Sequence, residues 1–275
     1  MSAAALLATV SFTAVSCGDD DDDNKFGSNP TPDKVFTEGM PTEVDGATFV
    51  KDAQGRVTSI KEGTETVSFN YTPVSRATNY DMTMTITDTD FKDYKTVYFI
   101  QLNEMGFIKY ALEVNSDEDG EDPDTDTWEF KYNSDGQMIY MARSENEDDI
   151  YMTYKNGDLV EIKDVDRNDK STSTNTISYT SDKVKTAIAN KGNVMLFKDI
   201  FDLDMDDMDV AYYAGLLGRA TKNLPIKNFD DYYNSGMEYT WTLDKNQYPV
   251  KVVGAEYNAD GDIVNPNQSE ITFKW

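Results

Sequence analysis

From residue 44 onward, apolar and polar positions alternate with a period of two. Val67, Phe69 and Tyr71 are separated by Ser68 and Asn70, and Tyr80, Met82, Met84 and Ile86 by Asp81, Thr83 and Thr85. Trp128, Phe130 and Tyr132, then Met237, Tyr239, Trp241 and Leu243, then Ile271, Phe273 and Trp275 follow the same rule. This period puts alternate side chains on opposite faces of a strand. The runs therefore predict antiparallel sheet with one face buried and the other in water.

A loose repeat underlies the alternation. Phe49, Phe130, Met152, Trp241 and Glu256 each open a unit of strand, polar turn with Asp or Asn and usually Gly, then aliphatic strand. Gly55, Gly136, Gly157 and Gly261 suit the positive φ that tight hairpin turns demand. Successive hairpins make a meander. The predicted fold class is mainly β: an antiparallel meander forming a strongly curved sheet or partly closed barrel of about 10 to 14 strands, since curling limits exposed edges. One or two short helices are expected to pack against it. Thr180–Gly192 has Ser181 as a cap, Val184, Ala187 and Ile188 on one face and Gly192 as a stop. Asp206–Pro225 has acidic residues at its start, a stripe of Val210, Tyr213, Ala214 and Leu217, then Arg219, Lys222 and Pro225. It predicts an amphipathic helix that plugs or covers the open end of the sheet.

The N-terminal region breaks the alternation. Ala3 to Val15 is an apolar run too short for a bilayer-spanning helix and of the length of a secretory signal core. Ala14 and Ser16 precede Cys17, the only Cys, in a pattern that resembles a bacterial lipobox with Cys17 as the lipidated residue. Asp19, Asp20, Asp21, Asp22 and Asp23 resemble the acidic surface-export signal of Bacteroidetes lipoproteins. A signal normally opens with Lys or Arg, and Met1 to Val15 has none, so the true start is expected upstream. The expected organisation is a signal peptide at 1–16, an acidic flexible tether at 17–43, and one β-rich domain at 44–275 with a helical insertion around 181–223. A tether of about 20 such residues spans roughly 25 Å.

Composition narrows the chemistry. With 51 acidic against 25 basic residues, the net charge of −26 excludes a nucleic-acid surface, which works through Lys and Arg on phosphates. The chain contains no His, which removes Ser-His-Asp and Cys-His nucleophiles and most catalytic zinc sites. Cys17, committed to lipid, leaves no disulfide.

The hairpin repeats and the stretch AYYAGLLGRATKNLP at 211–225, together with the lipobox and its Asp run, resemble a Bacteroidetes lipoprotein family of unknown function with a porin-like fold. The resemblance covers most of residues 44–275. It implies a curved or barrel-like β architecture and an outer-membrane lipid anchor, and no catalytic residues. The alternating runs, about 4 to 7 residues, are shorter than the roughly 9 to 11 of a membrane-spanning strand, which argues against walls lying in lipid.

Candidate sites are few. Asn115, Asp117, Asp119 and Asp126 take the first, third, fifth and twelfth places of a calcium loop, with Gly120 at the sixth. The flanks read as strands, so an acidic hairpin loop competes with calcium binding, and no other cofactor is expected. Asp164, Asp166 and Asn168 repeat the spacing without a Gly. Asp202, Asp204, Asp206 and Asp209 read as caps for the second helix. In the pairs Tyr212/Tyr213 and Tyr232/Tyr233, one ring of each is expected to face in and one out. The function expected is a surface-exposed outer-membrane lipoprotein that binds a ligand or partner without catalysis, with a glycan or an envelope protein as candidates. The alternatives are a shielding protein without a ligand and a His-free glycoside hydrolase built on two carboxylates.

Overall fold

The structure, a computed structural model, describes residues 30–75, 79–91, 95–116 and 124–275. Its strands are β1 (Glu43–Val44), β2 (Ala47–Lys51), β3 (Val57–Glu62), β4 (Glu65–Asn70), β5 (Val74–Ser75), β6 (Asn79–Tyr80), β7 (Met82–Asp88) and β8 (Lys95–Leu102). They continue with β9 (Ile108–Ser116), β10 (Asp124–Tyr132), β11 (Met138–Arg143), β12 (Asp148–Lys155), β13 (Asp158–Asp166) and β14 (Thr172–Ser178). The last are β15 (Ile188–Ala189), β16 (Asn223–Leu224), β17 (Lys227–Asp230), β18 (Ser235–Leu243), β19 (Pro249–Asn258) and β20 (Ile263–Lys274). Sixteen of them, all except the ribbons β5–β6 and β15–β16, form one closed antiparallel barrel. β1 seals against β20, with Val44 opposite Phe273 and the Lys274 ammonium on the Glu43 carboxylate. The barrel is thus closed fully, with more strands than the alternation suggested. Two-residue β1 and four-residue β17, too short to show a period, complete the ring.

The sequence repeat has a physical basis. Asp52, Asn103, Asn133, Asp244 and Asn258 each accept, on a side-chain oxygen, the N–H groups two and four residues on. The residue three on lies at positive φ, as in Gly55 and Gly136. Each turn adds one residue to its ladder and leaves a bulge beside it. Because the strands meander, connections alternate between ends. The turns at 52–56, 103–107, 133–137, 156–157 and 244–248 share what we call the closed end. Those at 63–64, 144–147, 167–171, 231–234 and 259–262 share the open end.

A barrel of about 16 strands leaves a channel unless its lumen is filled. Here residues 179–226, between β14 and β17, fill it. The insertion enters and leaves at the closed end, and its middle reaches the open end, where Asp206 meets Arg143 of β11. Phe197, Ile200, Phe201, Leu203, Met205 and Met208 of this plug are buried against wall residues such as Met84, Tyr98, Trp128 and Ile162 in one core. Its return limb is latched to closed-end backbone: Ile108 N–H donates to the Leu216 carbonyl, Arg219 N–H to that of Gly136 and Lys222 N–H to that of Gly157.

Neither expected helix forms as written. Thr180–Gly192 holds a Ser181 turn, with the hydroxyl oxygen accepting from Lys183 and Val184 N–H, and then β15, which pairs with β16. Within 206–225 only a 3-10 helix, Asp206–Tyr212, is present, and the one α-helix among the described residues is α1 (Phe197–Phe201). Two glycines explain this. Gly215 (φ 75°) and Gly218 (φ 85°) leave the helical region, and their missing Cβ atoms allow close approach to the Thr31 and Gly136 carbonyls. The stripe of Val210, Tyr213, Ala214 and Leu217 is not one-sided either: Ala211, Tyr212 and Leu216 are fully buried, more so than Val210 and Tyr213, as befits a segment surrounded by wall. The packing role expected for this segment is borne out.

The tether does not extend to residue 43. Val35 and Phe36 are buried, and the Phe36 ring meets Tyr212 edge-on at 5.4 Å and stacks on Tyr213 at 6.1 Å. Lys34 Nζ donates to the Met105 and Gly106 carbonyls. This segment caps the closed end.

The wall is apolar inside and polar outside. On β7, Met82, Met84 and Ile86 point in and Thr83, Thr85 and Thr87 out; on β10, Trp128 and Phe130 point in and Thr125, Glu129 and Lys131 out. A porin wall in lipid has the opposite polarity. Strand length does not separate the two cases, since β9, β10, β13 and β18 have nine residues each. The polarity of the outer face does.

Candidate functional site

At the open end the inner face of the wall becomes acidic in three places. In the first, Glu62 stands opposite Glu65 and Glu65 opposite Asp88, bordering a cavity of about 220 Å³. In the second, Glu113 (β9) and Asp126 (β10) stand directly opposite each other. Arg143, on the neighbouring strand, lies between them: it pairs with Asp126, approaches Glu113 at 3.7 Å, and reaches Glu145 at 2.8 Å and Asp206 of the plug at 3.3 Å. Its guanidinium sits 4.8 Å from the Trp128 ring centroid, and Trp128 Nε1 donates to Glu113 at 2.8 Å. Burial pushes the Asp126 carboxyl up, but hydrogen bonds from Ser144, Arg143 and two backbone N–H groups outweigh it and hold it below the usual range. This cluster is satisfied internally.

The third place is a cavity of about 570 Å³. One side is a staircase on the wall. Asp148 (β12) stands opposite Asp166 (β13), Asp164 opposite Ile150 and Ser173, and Ile162 opposite Asn175 (β14), which in turn faces Asp230 (β17). Same-face partners across a ladder place all of these on the inner surface. The other side is the plug turn Phe201–Asp204, where Asp202 takes a left-handed backbone conformation. Tyr232 and Tyr233, 75% and 70% exposed, form the rim, edge to face at 5.0 Å.

No Lys or Arg lines this cavity, and none of its six Asp residues forms an ion pair among the described residues. Burial, then repulsion from Asp148, pushes the Asp164 carboxyl up to about 6. Burial, then Asp230 and Asp204, pushes Asp202 up as well. Backbone N–H groups compensate in part: Asn168 and Asp169 donate to Asp166, Tyr232 and Tyr233 to Asp230, and Asp206 to Asp204. Lys198 borders an adjoining cavity of about 220 Å³. At the floor, Asn175 is 5% exposed; its Nδ2 donates to the Phe201 carbonyl at 3.3 Å and its Oδ1 has no partner, nor does Asp164 Oδ1.

The sites expected from sequence fare unequally. Cys17, Asp19 to Asp23, Asp117 and Asp119 lie outside the described residues. Asn115 on β9 donates through Nδ2 to Glu113 and leaves its buried Oδ1 without a partner, while Asp126 is committed to Arg143 and Ser144; the two ends of the expected calcium loop thus face different neighbours. Among the described residues no three carboxylates are grouped to hold one metal ion. Tyr212 is buried and Tyr213 half-buried, but Tyr232 and Tyr233 both face out, against the expectation of one in and one out. The structure brings together three features that looked separate: Asp164/Asp166, Asp202/Asp204 and the second Tyr pair. Asp148, Asn175 and Asp230 were missed. Asp148 is in register with buried Met152 and Asn175 with buried Ile177, but the inward register is legible only once neighbours are known.

The fold is similar to a crystal structure of a porin-like protein from Bacteroides uniformis ATCC 8492, with a TM-score of 0.55 and 21% identity over 83% of this chain and 88% of that one. A second porin-like protein, from Bacteroides vulgatus ATCC 8482, aligns at a TM-score of 0.48 and 15% identity over 86% and 98%. No curated protein matches. The family described as "Domain of unknown function (DUF4595) with porin-like fold" matches residues 49–251, which run from β2 to β19 and include the whole plug, and the chain belongs to that family.

Proposed function

We propose that the protein is a non-enzymatic binding module, carried on the outer face of the outer membrane by a lipid on Cys17 and exported there through Asp19 to Asp23. Its ligand occupies the open-end cavity. One observation carries this reading: in a barrel filled with apolar side chains, the cavity is a recess of small-ligand size lined by unneutralised carboxylates and rimmed by exposed rings. The polar outer wall supports a body in water rather than in lipid, and the lipobox-like sequence supports the anchor. Metabolic labelling with a fatty-acid analogue should mark the chain and fail to mark Cys17→Ala. In a thermal-shift panel of glycans, amines and metal ions, a stabilising ligand should lose its effect in Tyr232→Ala/Tyr233→Ala. A panel without hits, or hits that ignore the rim, would remove the assignment.

One observation favours a second reading. Asp164, pushed up to about 6 by burial and by its neighbour Asp148, has the character of a general acid in a carboxylate glycosidase. Turnover of chromogenic glycosides that disappears in Asp164→Asn would establish it; no turnover across the panel ends it.

A further inference from the structure

Of the inward-facing acidic pairs at the open end, Glu113–Asp126 has its cation and Asp148–Asp166 has none among the described residues. Like charges directly opposite in a ladder are destabilising. Arg143 offsets that cost for Glu113 and Asp126. Among the described residues nothing does so for Asp148 and Asp166, to which Asp164, Asp202, Asp204 and Asp230 add. The cavity's charged side chains are all carboxylates, and Asn175 Oδ1 is a buried acceptor left without a donor at its floor. Leaving such an atom unpaired has a cost that an incoming N–H removes.

The arrangement selects the form of the cation. A calcium ion draws about six to eight oxygens to a single point. Here no three carboxylates are grouped in that way. They are spread instead over successive steps of the staircase and across to the plug. Same-face residues of one strand, such as Asp164 and Asp166, are about 6.6 Å apart along it. That step is comparable to the separation of ammonium groups across a three- or four-carbon spacer. Tyr232 and Tyr233 at the rim offer ring faces to a cation or its methylene chain.

We infer that the open-end cavity binds a linear oligoamine, whose ammonium groups lie against Asp148, Asp164, Asp166, Asp202 and Asp204 and donate at the floor to Asn175 Oδ1. The inference rests on reading this cavity as the ligand site.

The test uses the full-length protein and calorimetric titration with spermidine, with calcium chloride and a neutral oligosaccharide panel as separate arms. A chain of net charge −26 attracts any polycation, so two charge-matched variants are compared. Asp164→Asn/Asp166→Asn removes charge from the cavity; Glu129→Gln/Glu270→Gln removes it from the exposed outer wall. Both preserve shape, and relief of repulsion keeps the first folded. Saturable spermidine binding that weakens at least about tenfold in the cavity variant and less than about twofold in the wall variant is the expected result. Equal weakening in both marks diffuse attraction and overturns the inference, as does no saturable binding. Calcium binding lost in the cavity variant, or oligosaccharide binding lost in Tyr232→Ala/Tyr233→Ala, overturns the oligoamine while leaving the cavity as the ligand site. Should spermidine saturate the chain undiminished in both the cavity and the rim variants, the reading of the cavity falls too.

Discussion

The pair Glu113–Asp126 and the pair Asp148–Asp166 occupy equivalent places: opposite each other on adjacent strands, on the inner face, near the same end. Around the first pair the fold has assembled an arginine, an indole N–H, a serine and a plug carboxylate. The second pair has only backbone N–H groups on Asp166 and a neighbouring carboxyl. The first joins wall to plug and belongs to the architecture. The second lies beside the same plug with its charge uncompensated, so the native state carries a standing cost there. A carboxylate cluster that contributes to stability and one that detracts from it are distinguishable by what reaches them, and hardly at all by their composition.

The largest effect should come from making the first pair resemble the second. Arg143→Met leaves two buried carboxylates unpaired and should lower unfolding free energy by about 3–5 kcal/mol in urea denaturation. Adding Glu113→Gln and Asp126→Asn to it should restore most of that loss. If Arg143→Met alone is neutral, the cluster is not the joint described.

The next effect is on pH. Burial, then Asp207 and Asp199, pushes the plug residue Asp209 up to about 7, and Asp164 is held at about 6. Both lie above their unfolded values. Between about pH 4 and 7 the folded chain therefore holds protons that the unfolded chain releases, and stability falls as pH rises through that window. Asp126, held low, acts in the opposite sense and withdraws its contribution as pH falls below about 4. Burial pushes the Lys34 ammonium down to about 7, which affects only pH above that value. Melting temperature should peak near about pH 5 and be lower at pH 8 by at least about 3 °C. Asp209→Asn should flatten the slope; a melting temperature level from pH 5 to 8 would refute the assignment of these shifts.

Smaller effects sharpen the contrast. Asp148→Asn/Asp166→Asn should raise stability at pH 8 by about 1 kcal/mol after solvent screening, whereas neutralising buried paired carboxylates normally destabilises. Ser173→Lys, opposite Asp164 in the ladder, should supply a tethered ammonium and stabilise by a similar amount. Smallest of all, Glu129→Gln/Glu270→Gln on the outer wall should stay within about 0.5 kcal/mol of the parent. A loss as large there as at the cavity would show that overall charge, rather than placement, sets these energies.

What was readable in the sequence follows the range of the interactions. The hairpins were legible because the device in Asn133–Gln137, a side-chain oxygen holding two nearby N–H groups, is complete within five residues. Closure was not, because it depends on Glu43 meeting Lys274 across the whole chain. The plug was misread as helical because its apolar spacing satisfies a helix locally. The demand for Gly215 to pass the Thr31 carbonyl arises only after the N-terminal segment has docked. The acidic cavity draws on β12, β13, β14, β17 and the plug, so no window of sequence contains it. The Tyr232–Tyr233 pair was expected to alternate, one ring in and one out, but it sits in the turn between β17 and β18, where strand alternation does not apply and both rings face out.

Pro30, where the described chain begins, lies beside Arg56, Tyr71 and Asn103, among the turns of the closed end. Whatever tethers the polypeptide upstream of that residue grips the barrel by its sealed base. The acidic recess opens at the opposite end of the barrel from that point of entry, so the two can be altered independently.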